Sequence, residues 1–204
     1  MPTPSPTDRI AVLAARLVCE GRIATVQEAI HVASERLELL DSDAPSHGLV
    51  RRHLQAMLMQ ELGAEGYQSM TRRRLEVAEE VMSTLAAHTD VVDVLLAGRG
   101  ASGHLDGDLT LHIRVYTRRT ITDLAEDLVL VGYEEPRFAT AETRFGRLDR
   151  LLFRDGDVDV AMTRCLPEQR RSAEQDLFTG RAVPVMSLGR LRGRLDATGD
   201  LERE

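Results

Sequence analysis

At 204 residues, with 43% hydrophobic and 29% charged side chains, the chain can bury one good core, or one core and a small helical appendage. Its net charge of −7 argues against a domain dedicated to wrapping DNA, because phosphate binding calls for a basic surface, but leaves room for a local arginine patch. Every basic residue is arginine, and lysine and asparagine are both absent, which excludes a P-loop lysine, a Schiff-base lysine and an N-glycosylation site.

The first third reads as helical. Met1 to Pro6 is expected to be a short disordered lead without a signal-peptide core. Thr7 or Asp8 can cap a helix whose Ile10, Leu13 and Leu17 share a face, with Gly21 as its end. Thr25-Val26-Gln27-Glu28 is a capping box before a helix that aligns Val26, Ala29, Ile30, Ala33 and Leu37. After a polar connector at 41–45, Ser46 can cap a third helix with Val50, Leu54, Met57 and Leu58 on its apolar side. A fourth is expected from about Ser69 to His88, with Leu75, Ala78, Val81, Met82 and Leu85 inward and Arg72, Arg73 and Arg74 in its early turns.

The remainder alternates. Val91 to Leu96 reads as a buried strand, followed by a glycine-rich turn from Ala97 to Gly103. A strand is expected at Asp108 to Tyr116 and a helix from about Thr120 to Val131, closed by Gly132. Further strands read at Arg137–Thr143, Leu148–Arg154 and Asp157–Thr163, with Asp155-Gly156 as a hairpin turn between the last two. A final helix starts near Ser187, and the tail from Ala197 is expected to fray. No window approaches the ~18 apolar residues of a membrane span. Cys19 and Cys165 lack metal-like or redox spacing and suit a reducing compartment. The expected location is therefore cytoplasmic.

Alternate residues of a strand point the same way. Asp106, Asp108, Thr110, His112 and Arg114 therefore share one face, and Leu109, Leu111, Ile113 and Val115 the other. Asp157, Asp159, Ala161 and Thr163 likewise oppose Val158, Val160 and Met162. If the two strands are neighbours, their acidic faces converge. Carboxylates a few ångströms apart repel unless a cation sits between them, and Mg²⁺ suits such oxygen ligands while keeping positions open for phosphates. Gly98 and Gly100 would let the backbone approach a polyphosphate, and Arg99 could add a charge-assisted contact.

This arrangement resembles the nucleotidyltransferase superfamily, the fold of DNA polymerase β, minimal nucleotidyltransferases and tRNA CCA-adding enzymes. The family pattern is a helix, a strand, a Gly-Ser or Gly-Gly turn, two acids in D-x-[DE] and a third acid on a later strand. Here the corresponding features are Ser69–His88, Gly98-Arg99, acids beginning at Asp106 or Asp108, and Asp159. The chain is also similar to a group of bacterial nucleotidyltransferase-like proteins with a comparable helical N-terminal segment. The resemblance implies an α+β fold, with an N-terminal helical segment (1–66), a nucleotidyltransferase-like mixed sheet with flanking helices (67–196) and a flexible tail (197–204).

It also implies Mg²⁺ (or Mn²⁺) on Asp106, Asp108 and Asp159, a nucleoside triphosphate on Gly98, Arg99, Gly100 and Ser102, and an RNA, protein or small-molecule acceptor. Two registers stay open. In one, Asp106 and Asp108 form the acidic pair around Gly107; in the other Asp108 opens it and Thr110 takes the second position. The second register, with Arg99 where the family has a small residue, points to the alternative of a catalytically inactive relative. Such a protein would be a nucleotide- or RNA-binding module, or an assembly protein whose N-terminal helices bind a partner or a second copy.

Other polar residues have plainer readings. His112 suits a satisfied, partly buried histidine and His104 a solvated loop. Arg72, Arg73 and Arg74, like Arg190, Arg192 and Arg194, fit the wet side of a helix, with RNA contact as the alternative. Met57 and Met59 fit core or interface.

Overall fold

The structure is a computed structural model that describes residues 4–23, 25–40, 43–103, 110–134 and 136–200. Its contacts divide into two compact units, the first running to Thr71 and the second starting at Arg72.

The first unit is helical. Helix α1 (Pro6–Cys19) starts earlier than Thr7 or Asp8 would have it, because Ser5 caps it by accepting a hydrogen bond from the Asp8 N–H and Pro6 tolerates the first helical position. Helix α2 (Val26–Arg36) is capped by Thr25, which accepts from the Glu28 N–H at 3.3 Å. Helix α3 (His47–Ala86) begins where Ser46 accepts from the Leu49 N–H. This span is two helices joined at a kink, as the sequence led us to expect: Gly63, with φ of 72° and ψ of 173°, is non-helical and separates them. Ile10, Ala14 and Leu17 of α1, Ala29, Ile30 and Ala33 of α2, and Val50 and Leu54 of α3 form one apolar cluster. Met57 packs against that cluster, whereas Met59 is exposed.

The second unit is a six-stranded mixed sheet with flanking helices. Its strands are β1 (Val91–Ala97), β2 (Leu111–Thr117), β3 (Arg137–Thr143), β4 (Gly146–Asp155), β5 (Val158–Cys165) and β6 (Val185–Ser187). Their order is β3-β4-β5-β2-β1-β6. β2 and β5 are parallel, and every other neighbouring pair is antiparallel. Helix α4 (Arg99–Ser102) replaces the open turn expected after β1; helix α5 (Ile121–Leu130) follows β2, and helix α6 (Leu188–Asp200) runs past Ala197. Thr120 and Asp123 complete a reciprocal capping box at the start of α5. β6 had no legible signal, being three residues long and positioned by its pairing to β1 and by the packing of Met186 and Val185.

Strand alternation decides which face is buried. Leu111, Ile113 and Val115 of β2 and Val158, Val160 and Met162 of β5 face inward. They pack with Leu75, Val81 and Leu85 of α3, Leu124 and Leu128 of α5 and Leu191 of α6. At about 25 cal/mol per Å² of apolar surface removed from water, this cluster is the main source of cohesion of the unit. A smaller cluster on the opposite face joins Leu95, Tyr116, Leu148 and Cys165 to Ala173 and Leu177, from the segment that follows β5. The β4–β5 hairpin turns at Gly156-Asp157, one residue later than expected, since Asp155 already pairs with Val158. Gly156 has φ of 58° and takes the left-handed conformation at the first turn position. Among the described residues no helix is long and apolar enough to cross a membrane.

Candidate functional site

Three neighbouring strands bring the sequence-derived candidates toward one end of the sheet. The β2–β5 register pairs Leu111 with Val160, so Thr110 and Asp159, each one residue earlier, stand at the same level beneath the open face. In the β1–β2 register Ala97 is opposite His112, which puts the Gly98 bend at that same end. Asp106 and Asp108, with His104, lie outside the described residues.

Gly98 has φ of 74° and ψ of −142°, and its N–H donates to the Pro184 carbonyl at 2.9 Å. The bend is therefore anchored to the segment leading into β6. A Cβ on Gly98 would meet nothing within 4 Å; the need for glycine there is conformational rather than steric. Gly100 differs: it is buried, and a Cβ would lie 3.3 Å from Leu96 Cδ1 and 3.5 Å from Leu111 Cδ2. It seats the short helix against the core. Arg99 opens that helix, and the exposed Ser102 donates through its hydroxyl to the Arg99 carbonyl at 2.9 Å.

Asp159 is half-exposed and held at two points by Arg154, its cross-strand neighbour on β4. Its Oδ1 accepts from Arg154 Nε at 2.8 Å and its Oδ2 from Arg154 Nη2 at 3.2 Å. The sequence places apolar residues on both sides of Asp159, as in an interior strand, and β5 is interior; the arginine supplies the pairing that such a position calls for. Asp159 and Arg154 open onto a cavity of about 590 Å³, also lined by Thr110, Glu134, Arg137 and Leu152. Asp157 sits in the hairpin turn.

The donor chemistry suits a hard cation, since carboxylates are oxygen ligands. Among the described residues, however, no group of three His, Cys, Asp or Glu side chains could hold one. Asp159 would have to exchange its arginine for a metal, and the remaining proposed ligands are Asp106 and Asp108.

The basic residues separate into roles that spacing alone left open. Arg72 pairs with Glu76, Arg73 with Asp155, and Arg192 with Glu79 at 2.7 Å and with the Ser83 hydroxyl at 2.8 Å. The Arg194 guanidinium lies over Gly103, the residue that closes α4, so closely that a Cβ there would fall 2.1 Å from Nη2. Its position one turn after Arg190 on α6 is the only sequence signal for this placement. His112 keeps an exposed edge on the open face. Burial by the surrounding protein, then the positive charges of Arg150 and Arg114, lower its pKa below the usual histidine value, while Asp176 acts in the opposite direction. Arg114 is buried and its Nη1 donates to the carbonyls of Ala173 at 2.7 Å and Gln175 at 2.8 Å.

Comparison with protein-family models finds no matching family, and comparison with curated proteins finds no matching sequence.

Proposed function

We propose that the chain is a nucleotidyltransferase-like protein that uses Mg²⁺ or Mn²⁺ to transfer a nucleotidyl group from a nucleoside triphosphate to an acceptor hydroxyl. The observation that carries this reading is the meeting of the Gly98 bend, Thr110 and Asp159 at one end of three adjacent strands. It is joined by the order of helix, strand, glycine bend, strand and later acidic strand along the chain. Asp106, Asp108 and Asp159 are the residues that would hold metal, and the metal would supply charge neutralisation at the phosphates and activation of the attacking hydroxyl. Gly98, Arg99, Gly100 and Ser102 would bind the triphosphate, with Gly98 permitting close backbone approach and Arg99 contributing a cation. The acceptor is an RNA, a protein or a small molecule. The reading carries a cytoplasmic location, where triphosphates are abundant and the free thiols of Cys19 and Cys165 stay reduced.

A second reading is favoured by one specific contact. Both oxygens of Asp159 are engaged by Arg154, and Thr110 occupies the position beside it. A guanidinium in place of a metal ion is what a non-catalytic nucleotide- or RNA-binding relative would retain, or an assembly module that binds a partner or a second copy. The deciding experiment is incubation with Mg²⁺ or Mn²⁺ and each labelled triphosphate, with and without RNA, for wild type, Asp108→Ala and Asp159→Ala. Label transfer by wild type that both substitutions abolish supports the enzyme. Equal transfer by all three rules out the site, and no transfer by any, with retained nucleotide binding, supports the silent relative.

A further inference from the structure

Beside the acidic end, the open face of the sheet holds a smaller cavity of about 160 Å³, lined by Gly98, His112, Arg114, Arg150, Thr163 and the Asp176–Phe178 stretch, among others. Its roof is tied down. Arg114 donates to the carbonyls of Ala173 and Gln175, Arg144 Nη1 donates to Gln175 Oε1 at 2.7 Å, and the Arg144 N–H donates to the Leu177 carbonyl at 2.9 Å. The cavity is thus preformed by a segment fixed across the sheet.

Its charge is not balanced from within. Arg150 enters from β4 partly buried, and its Nε is shielded from solvent with no hydrogen-bond partner. Asp176 is the one carboxylate among the described lining residues, and it is committed to its own loop. Its Oδ1 accepts from the Phe178 N–H at 3.1 Å, the Thr179 N–H at 2.7 Å and the Thr179 hydroxyl at 2.8 Å. A shielded guanidinium donor left unpaired is costly, and the cost is removed by an acceptor that enters from outside. Arginine's planar fork matches a phosphate or carboxylate in a two-point contact.

We propose that this cavity is an oxyanion site that takes a single phosphate-sized group, held by the Arg150 guanidinium with the Thr163 hydroxyl and the His112 ring beside it. The volume sets the class. Sites for drug-sized molecules occupy roughly 300–1,000 Å³, so this one admits a phosphoryl group and not a whole nucleotide. The organic part of a phosphate ester would remain outside, against the exposed ring of Phe178 at the rim. The site borders Gly98 but otherwise uses residues outside the triphosphate set, and it does not rest on the nucleotidyl-transfer reading.

The test is calorimetric titration of the full chain with inorganic phosphate and with phenyl phosphate, using sodium acetate and sodium chloride at matched ionic strength as controls. Wild type, Arg150→Met, Thr163→Val and Asp159→Ala are compared, with circular dichroism confirming the fold. The expected result is saturable one-site binding of phosphate or phenyl phosphate that exceeds acetate, weakened about tenfold or more by R150M, weakened less by T163V and unchanged by D159A. Tighter binding of phenyl phosphate than of inorganic phosphate identifies an ester as the occupant, and the reverse identifies the free ion. Binding of neither probe by wild type overturns the proposal, as does binding that survives both R150M and T163V or that D159A abolishes. Should R150M not fold, T163V decides. Loss of transfer activity in D159A with phosphate binding intact separates the two sites.

Discussion

Arg154 and Asp159 face each other across the β4–β5 hairpin, joined by two hydrogen bonds of 2.8 and 3.2 Å. Both side chains are more than half exposed, so the pair is screened by solvent and contributes little to stability. Its importance is competitive: any cation on Asp159 must displace the guanidinium. Arg154→Ala is therefore expected to leave the thermal midpoint nearly unchanged and to raise apparent affinity for Mn²⁺, read by titration against the paramagnetic signal of the free ion. Asp159→Ala is expected to abolish that affinity, with a loss at least as large as the ~10–100-fold seen for outer-shell partners of metal ligands. Equal Mn²⁺ binding by wild type, R154A and D159A would show that Asp159 is not a ligand.

The Gly98 bend gives a prediction in which strain and space disagree. A methyl group at Gly98 meets open space, yet the φ of 74° with ψ of −142° is a conformation that side chains rarely adopt. Gly98→Ala is expected to cost about 1–3 kcal/mol. Gly100→Ala introduces contacts at 3.3–3.5 Å with the Leu96 and Leu111 methyls and is expected to cost less, because those side chains can give by a few tenths of an ångström. Urea denaturation of the two variants reads the difference, and the reverse order would mean that packing, not backbone conformation, controls this bend.

The fold was legible where periodicity is strong. The apolar stripes at Ile10–Leu17 and Leu75–Leu85 and the alternation Leu111-Ile113-Val115 are local signals, and they correspond to a helical segment followed by a mixed sheet with flanking helices. The misread boundaries have local causes. Ser5 and Pro6 start α1 earlier than Thr7 or Asp8 would, and Gly156 takes the first turn position that Asp155 was expected to hold, whereas Gly63 does separate the two helices read there. What sequence could not carry was pairing between strands. Arg154 meets Asp159 only because the turn fixes a register in which the two are opposite, and a turn one residue off would set each against a different partner. Arg150 was not singled out at all. Its surroundings come from the segment around residues 173–178, which has no periodic pattern and folds over the sheet more than twenty residues after Arg150 in the chain.

His112 supplies a pH dependence whose sign follows from its surroundings. Its pKa in the folded chain lies below the ordinary value of 6.5, first because of burial and then because Arg150 and Arg114 repel the imidazolium more than Asp176 attracts it. As pH falls through 6.5 the unfolded chain takes up the proton before the folded one does. Stability from this residue is thus fully present above 6.5 and is lost as pH drops toward the lower folded value. His112→Gln is expected to flatten the slope of stability against pH between about 5 and 7, measured as urea midpoints in a single constant-ionic-strength buffer series. A variant that keeps the wild-type slope would assign the acid sensitivity elsewhere.

The junction between α3, β1 and α5 is held by charges that are far less exposed than those of the hairpin. Asp127 of α5 receives the guanidinium of Arg119 at two points, one of them at 3.2 Å, and lies 3.0 Å from His88 Nε2. The side chains of Arg119 and Asp127 are only 16% and 12% exposed. Asp127, first through its hydrogen bond, holds the Arg119 pKa above its ordinary value, so the guanidinium keeps its charge. Removing Asp127 takes away the main partner of Arg119 and leaves Asp90, 3.7 Å from Arg119 Nε, as a weaker one. Fully buried pairs lose roughly 3–5 kcal/mol in this way, and the residual exposure here brings the expected cost of Asp127→Ala to about 2–3 kcal/mol. Replacing both residues, as Arg119→Met with Asp127→Leu, is expected to recover most of that loss, because the poorly paired charge is then gone. Denaturant midpoints for the two single variants and the double variant complete the cycle, and a double variant no more stable than Asp127→Ala would show that the geometry of the junction, rather than the weakened pairing of the arginine, is what Asp127 maintains.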